Sequence, residues 1–285
     1  MAHAAPLLRM QGIRKAFGPT VALDGVDLEV AAGEVHALVG ENGAGKSTLM
    51  KVLSGAVMPD AGRMELDGEA YRPTHPLEAR RRGVAMIYQE LSLAPHLSVM
   101  ENVLLGMEPK RLGLLDRGEL RRKARDALEE LGRADIPLDA PAGSVSIASQ
   151  QIVEIARAMA VRCRVVVLDE PTSSLAHDDV EHLFLLIDRL RASRYAVVYI
   201  SHVLEEVQRV ADRFTVLRDG RSVGGGDVAG TSTSEIIRLM VGREVGELYP
   251  RSERRAGDVL LEVEELAAHP RPLSAGFQLR AGEVL

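Results

Sequence analysis

The stretch "GENGAGKST", residues 40–48, constrains the fold of this chain more than any other. It follows the apolar run "VHALV" at 35–39 and opens the helical pattern "STLMKVLSG", so a glycine-rich loop sits between a strand and a helix. Gly40, Gly43 and Gly45 let the backbone curl until consecutive N–H groups face one point, and the helix N-terminus adds partial positive charge there. Such a point binds phosphate. Glu41, Asn42, Ala44 and Thr48 complete the surrounding loop, Lys46 reaches the outer phosphates, and the Ser47 hydroxyl is a ligand for Mg2+. A plain glycine turn is the competing reading, and the strand and helix on either side argue against it.

The run "VVVLDE" supplies the opposite wall. A carboxylate ending a buried strand, Asp169, can hold Mg2+ through water. Glu170 points elsewhere because strand side chains alternate, and is suited to accept a proton from an attacking water or to orient it. Gln89 closes "AMIYQ", where an amide can touch both metal and water, and His202 closes "VVYISH", where an imidazole can meet a terminal phosphate. A lone Gln or His at a strand end is commonly just a surface or satisfied core residue; here their order along the chain gives them weight.

Short apolar runs alternate with helical patterns through the first 220 residues, which implies α/β layering around a mixed central sheet. The runs at 35–39, 165–169 and 196–201 lack polar alternation, as strands covered on both faces do. "LLRMQGIRKAF" and "VDLEV" alternate, and predict an antiparallel edge sheet. Residues 91–160 change texture toward charged helix ("ELRRKARDALEELG") and read as an inserted helical subdomain. Within it "SVSIASQQIVEIARAM" is an amphipathic helix for which Ser146 and Ser149 are both plausible caps. The arginine run "EARRRG" at 78–83 reads as a solvated helix face.

Beyond "VLRDGR" come a Gly, Thr and Ser-rich stretch, a short helix ending "LMVGRE", and a charged linker over 244–257. Residues 258–285 then repeat the layout of the N-terminus, with "AGEV" recurring verbatim at 32–35 and 281–284. The expected domains are therefore 7–243, a linker, and the opening of a second copy at 258–285.

Several function classes are excluded by composition. The 285 residues carry a formal net charge of -6, only 3% aromatics and no Trp, which argues against nucleic acid as a ligand. A single cysteine, Cys163 in "VRCRVVVL", forms neither an internal disulfide nor a thiolate cluster and reads as a small buried hydrophobe. No apolar run approaches membrane-helix length, and the first residues lack a basic start followed by an apolar stretch, so the chain reads as soluble and unsecreted.

Taken in order, "GENGAGKST", "IYQE", "VSIASQQIVEIARAM", "VVVLDEPTSSL" and "VVYISH" resemble the P-loop, Q-loop, signature, Walker B with D-loop, and switch histidine of the ATP-binding cassette (ABC) family, over residues 7 to about 220. More narrowly, "IYQELSLAPHLSVMENVLLG", "QQIVEIARAM" and "LMVGRE" are similar to the two-cassette ATPase subunits of bacterial monosaccharide importers. The resemblance implies an α/β P-loop cassette and ATP hydrolysis with Mg2+ held by Ser47, Gln89 and Asp169. It implies transmembrane permease partners at the cytoplasmic face of the inner membrane, an extracytoplasmic sugar-binding protein acting indirectly, and a second cassette in cis or by dimerisation. Ser146 would then face a nucleotide held by that second cassette, and Phe17 in "KAFG" would stack on adenine, with a core aromatic as the competing reading. The sequence departs from the family's L-S-G-G-Q at Val145, Ile147, Ala148 and Ser149, and has Ala176 where many cassettes carry Asp. A nucleoside importer of the same type, a soluble ABC ATPase without a transport role and a module that binds nucleotide without turnover are the alternatives.

Overall fold

The computed structural model describes residues 5–89, 91–173, 175–242 and 257–283, so most of the expected linker, with Glu90, Ser174 and Val284, lies outside the described residues. The chain divides into two compact units, Met1–Gly242 and Arg243–Leu285.

The first unit begins with a long antiparallel pair, β1 (Pro6–Phe17) and β2 (Thr20–Ala31). It enters the main sheet as β3 (Val35–Val39), passes the glycine loop into α1 (Lys46–Leu53), and returns to extend the first pair with β4 (Ala61–Leu66) and β5 (Glu69–Ala70). This gives a separate four-stranded antiparallel sheet of order β2-β1-β4-β5. The chain continues through α2 (Pro76–Arg81), β6 (Val84–Ile87), α3 (Val99–Val103), the short pair β7 (Lys110–Arg111) and β8 (Leu114–Leu115), α4 (Arg117–Glu130) and α5 (Ile147–Ala160). Then follow β9 (Val165–Asp169), α6 (His177–Ala192), β10 (Ala196–Ile200), α7 (Leu204–Val210), β11 (Arg213–Arg218), β12 (Arg221–Asp227) and α8 (Thr233–Val241).

The main sheet has order β12-β11-β3-β10-β9-β6 and is parallel except for β12 at its edge. Its central strands β3 and β10 are buried throughout because both faces are covered. One face packs with Leu49, Met50 and Leu53 of α1 and the apolar side of the antiparallel sheet. The other shares a core with α3, α4, α5 and α6. The helical insert thus completes the sheet's own hydrophobic core, and a third cluster built on Phe214, Val207 and Ile236 seats α7 and α8. Cys163 is buried, and burial pushes its thiol up to about 12.

The expected strands stand where the apolar runs put them, and Ser146 rather than Ser149 caps α5, its hydroxyl accepting from the Ser149 N–H at 3.2 Å. One local reading changes. Arg81 and Arg82 are exposed, but Arg80 is not a solvated residue: its guanidinium turns inward and donates to the carbonyls of Leu105 (3.0 Å), Val103 (3.2 Å) and Arg157 (2.9 Å). Burial pulls its pKa down to about 10. Those carbonyls end α3 and lie late in α5, where helix termini leave acceptors without intrahelical donors. Gly224, Gly225 and Gly226, at the start of the Gly, Thr and Ser-rich stretch, lie in strand β12. A Cβ at Gly225 would stand 2.5 Å from the Phe214 carbonyl, so the close approach of β12 to β11 requires glycine there, while one at Gly224 would meet the movable end of the Leu239 side chain at 2.9 Å.

The second unit contains an antiparallel pair, β13 (Val259–Leu266) and β14 (Ala275–Arg280), with Val263 opposite Phe277.

Candidate functional site

The parallel strands β3, β6, β9 and β10 all end on the same side of the sheet, and the chemistry-bearing residues follow directly from those ends. This is where open α/β sheets form clefts. A cleft of about 280 Å³ is lined by Asn42, Gly43, Gly45, Lys46, Ser47, Thr48, Gln89, Asp169 and Glu170, with Thr20, Val21 and Ala22 of β2 as its outer lip. The β2 residues were not legible as site residues, because a polar-apolar strand start carries no chemical signature of its own.

The loop geometry explains its glycines. Gly45 caps α1 at φ 106°, where an added Cβ would meet the Ala22 carbonyl at 2.8 Å. At Gly40, φ 154°, a Cβ would collide with the Leu217 carbonyl. Both positions exclude a side chain so that the loop can pass between β2 and β11. Gly43, at φ 85°, has open space and is selected by conformation alone. Lys46 is buried and its Nζ donates to the carbonyls of Gly40 (2.6 Å) and Glu41 (3.1 Å), which folds the ammonium over the loop. Burial holds its pKa below the usual lysine value, an effect the Glu170 and Asp169 carboxylates partly offset.

Across the cleft, burial and then the neighbouring Glu170 charge raise the Asp169 carboxyl above the usual carboxylate value, against the pull of Lys46. Glu170 adopts φ 45°, a left-handed backbone that a non-glycine residue enters at a cost of about 1 kcal/mol. Its N–H donates to the Ile200 carbonyl at 3.0 Å, so β10 holds this turn in place. His202 Nδ1 lies 3.1 Å from Glu170 Oε1, and the tautomer protonated at Nδ1 donates to the carboxylate.

A second layer supports His202. The Ser201 hydroxyl donates to Glu206 Oε2 at 2.8 Å and accepts from the Val203 N–H at 3.0 Å, so the residues on both sides of the histidine are pinned by one oxygen. Glu206 also accepts from the buried Tyr199 hydroxyl at 2.8 Å. Glu206 stands in the first turn of α7, five residues past Ser201 in "SHVLEE", so this support is local in sequence.

The oxygen donors of Ser47, Gln89 and Asp169 share one cleft, and an all-oxygen set suits Mg2+. Among the described residues no group of three His, Cys, Asp or Glu converges to hold a metal. Two predicted residues do not line this cleft, although Phe17 pairs across the β1–β2 hairpin with Thr20 of its lip. Phe17, 48% exposed with the Lys15 ammonium 5.6 Å above its ring, is not a core aromatic. Ser146 is exposed at the N-terminus of α5 beside a different hollow, lined by Ser149, Arg133, His182 and Arg189.

Fold and cleft together put the chain among the P-loop nucleotide-binding α/β proteins. More narrowly, it belongs to the ABC transporter family, whose model matches residues 23–173. It is similar to the ribose import ATP-binding protein RbsA of Chromobacterium violaceum, 51% identical over 97% of this chain and 55% of that protein. It is also similar to a ribose import ATP-binding protein of Rubrobacter xylanophilus, 48% identical over 98% of this chain and 56% of that one. A putative ribose/galactose/methyl galactoside import ATP-binding protein of Ralstonia nicotianae is 44% identical over 98% of the chain and 54% of its own length. The chain thus spans about half the length of these relatives. Among solved structures, the ADP conformation of an ATP-binding cassette of an ABC transporter superposes with a TM-score of 0.72 and 28% identity, covering 86% of this chain and 98% of that one. No helix of the described residues is long and apolar enough to cross a membrane.

Proposed function

We propose that residues 7–243 form an ATP-binding cassette that binds and hydrolyses ATP to power import of a monosaccharide through a separate membrane permease. The carrying observation is the convergence of Lys46, Ser47, Gln89, Asp169 and Glu170 on one cleft at the strand ends. The sugar is taken from the relatives' names, ribose import in C. violaceum and R. xylanophilus.

The loop amides and Lys46 bind the phosphates, Ser47, Gln89 and Asp169 hold Mg2+, and Phe17 offers its exposed ring to the base. A Mg2+ ion held by those three residues would supply positive charge against the negative charge developing on the phosphates. Glu170 orients the attacking water and takes its proton, and His202, held by Ser201 and Glu206, fixes that carboxylate. Ser146 and the α5 N-terminus face outward, ready for a nucleotide held by a second cassette. Residues 258–285 open that second cassette in cis, after a linker over 244–257, and an equivalent pairing by dimerisation serves the same chemistry. The working site is the cytoplasmic face of the bacterial inner membrane, against permease subunits supplied by an extracytoplasmic sugar-binding protein.

Titration calorimetry with Mg-ATP tests the cleft: Lys46→Ala is expected to weaken binding at least tenfold, and unchanged affinity would remove the loop from the proposal. Phosphate release tests the chemistry, with Glu170→Gln expected to lower turnover about 100-fold. A sugar-uptake assay in cells lacking the subunit tests the cargo; restored ATPase activity without restored ribose uptake would separate the enzyme from the assigned sugar.

A further inference from the structure

The buried side of α5 is apolar except at two neighbouring positions, Gln151 (6% exposed) and Glu154 (4% exposed). Three residues apart, they lie on one helical face. Both make their shortest hydrogen bonds outside the helix. Gln151 Nε2 donates to the carbonyl of Pro171, the residue after Glu170. Glu154 Oε1 accepts from the Ser92 N–H at 2.7 Å and the Ser92 hydroxyl at 2.9 Å, three residues past Gln89, and the Arg157 guanidinium approaches the same oxygen at 3.4 Å.

Buried polar side chains are retained against a desolvation penalty that apolar residues of similar size would not carry. Here both reach out of one helix to the two segments that present Gln89 and Glu170 to the cleft. The same helix is capped by Ser146 at its exposed end, only five residues before Gln151. A two-turn stretch of helix therefore spans from that end to both segments.

We infer that Gln151 and Glu154 are positioning residues through which α5 sets the stance of Glu170 and Gln89, so that a ligand engaged at the Ser146 end bears on both. This rests on the functional reading above. The two hydrogen-bonded arms make α5 a strut, and its displacement shifts the two cleft segments together.

The test is steady-state ATP turnover by the full-length protein, with Mg-ATP as the probe and ATP binding in EDTA as the control for an intact loop. Glu154→Ala is expected to lower kcat about tenfold, within the range a small misplacement of catalytic groups produces, while KM and binding in EDTA stay within twofold. Glu154→Gln keeps an acceptor oxygen for Ser92 and is expected to recover most of the loss. The decisive comparison is non-additivity: Gln89→Ala with Glu154→Ala should be no slower than Gln89→Ala alone, and Gln151→Ala should add nothing to Glu170→Gln. Should Glu154→Ala not fold, Ser92→Ala removes one of the two donors from the other side and is expected to show a smaller loss with the same non-additivity. Additive losses, or a loss that appears only in KM, overturn the inference while leaving the functional reading intact. Wild-type protein without Mg-ATP turnover overturns both.

Discussion

The pairs β1–β2 and β13–β14 start from matching sequence and end in opposite environments. Both close with the same turn: Gly33 at φ 77° and Gly282 at φ 78° sit in "AGE", and the following glutamate side chain accepts from a backbone N–H three residues earlier, Ala31 to Glu34 at 2.8 Å and Arg280 to Glu283 at 3.0 Å. Beyond the turn the likeness stops. Leu8 and Met10 are fully buried against α1 and β4, whereas Leu260 is 70% exposed and Leu261 47%. The turn is a local property of four residues, while burial needs a helix and a sheet that residues 257–283 do not contain. A two-stranded pair alone has one apolar face and nothing to cover it.

Matched substitutions in the two pairs expose this difference most strongly in their apolar residues. Leu8→Ala opens a cavity in a closed core and is expected to cost about 2–5 kcal/mol, a Tm lower by roughly 10 °C in a thermal melt. In the 285-residue chain Leu261→Ala is expected to stay within about 0.5 kcal/mol of wild type. Equal losses would show that the second pair is also packed, and would break the comparison.

The two turn glutamates differ next. For Glu34, burial raises the carboxyl pKa, but the hydrogen bond with His36, the Ala31 N–H and the charges of His36 and Arg213 outweigh it and leave the folded value below 4.5. A depressed folded value means that the ionised form adds stability above about pH 4.5, lost as the pH falls through the folded value. Glu34→Gln is expected to cost about 1–2 kcal/mol at pH 7 and to flatten the acid limb of a Tm-against-pH curve. Glu283→Gln, at an exposed turn, is expected to cost under about 0.5 kcal/mol at pH 7, and a steep limb surviving in Glu34→Gln would assign acid sensitivity to another carboxylate.

What could be read from the sequence follows the same division between local and distant causes. The strands at 35–39 and 165–169 stand exactly as long as their apolar runs because a doubly covered strand needs no partner-specific signal. The glycine loop was legible because three glycines carry a backbone requirement that no tertiary contact can alter. Arg80 was misread because its acceptors lie 23, 25 and 77 residues away, and nothing in "EARRRG" distinguishes the arginine that turns inward. The lip at Thr20–Ala22 depends on which strands become neighbours, which spacing along one chain does not reveal, whereas the support from Glu206 comes from residues five and seven positions earlier and needed only the turn from β10 into α7. Gln151 and Glu154 left a faint trace as polar residues on the apolar side of a helix, a trace that reports burial but not the partner.

The smallest expected effect has the opposite sign, and it locates a cost that the first unit carries for its cleft and the second pair does not. Glu34 and Asp169 are both acids drawn out of water, yet Glu34 is met by donors and Asp169 by the charge of Glu170. Asp169 has its folded pKa raised above 3.8, chiefly by burial. The fold therefore favours the protonated acid, and stability declines as the pH rises through the window above 3.8, the reverse of Glu34. At pH 7 the ionised carboxylate is a standing penalty in the nucleotide-free protein. Asp169→Asn removes the charge at nearly constant volume and is expected to raise Tm by about 2 °C without nucleotide, under 1 kcal/mol at this size. The same variant should lose most of the additional Tm that Mg-ATP confers on wild type, because a ligand stabilises in proportion to its affinity for the folded state. A lower Tm for nucleotide-free Asp169→Asn would mean that Lys46 more than repays the burial of Asp169, and the cleft would then be a stabilising element of the sheet.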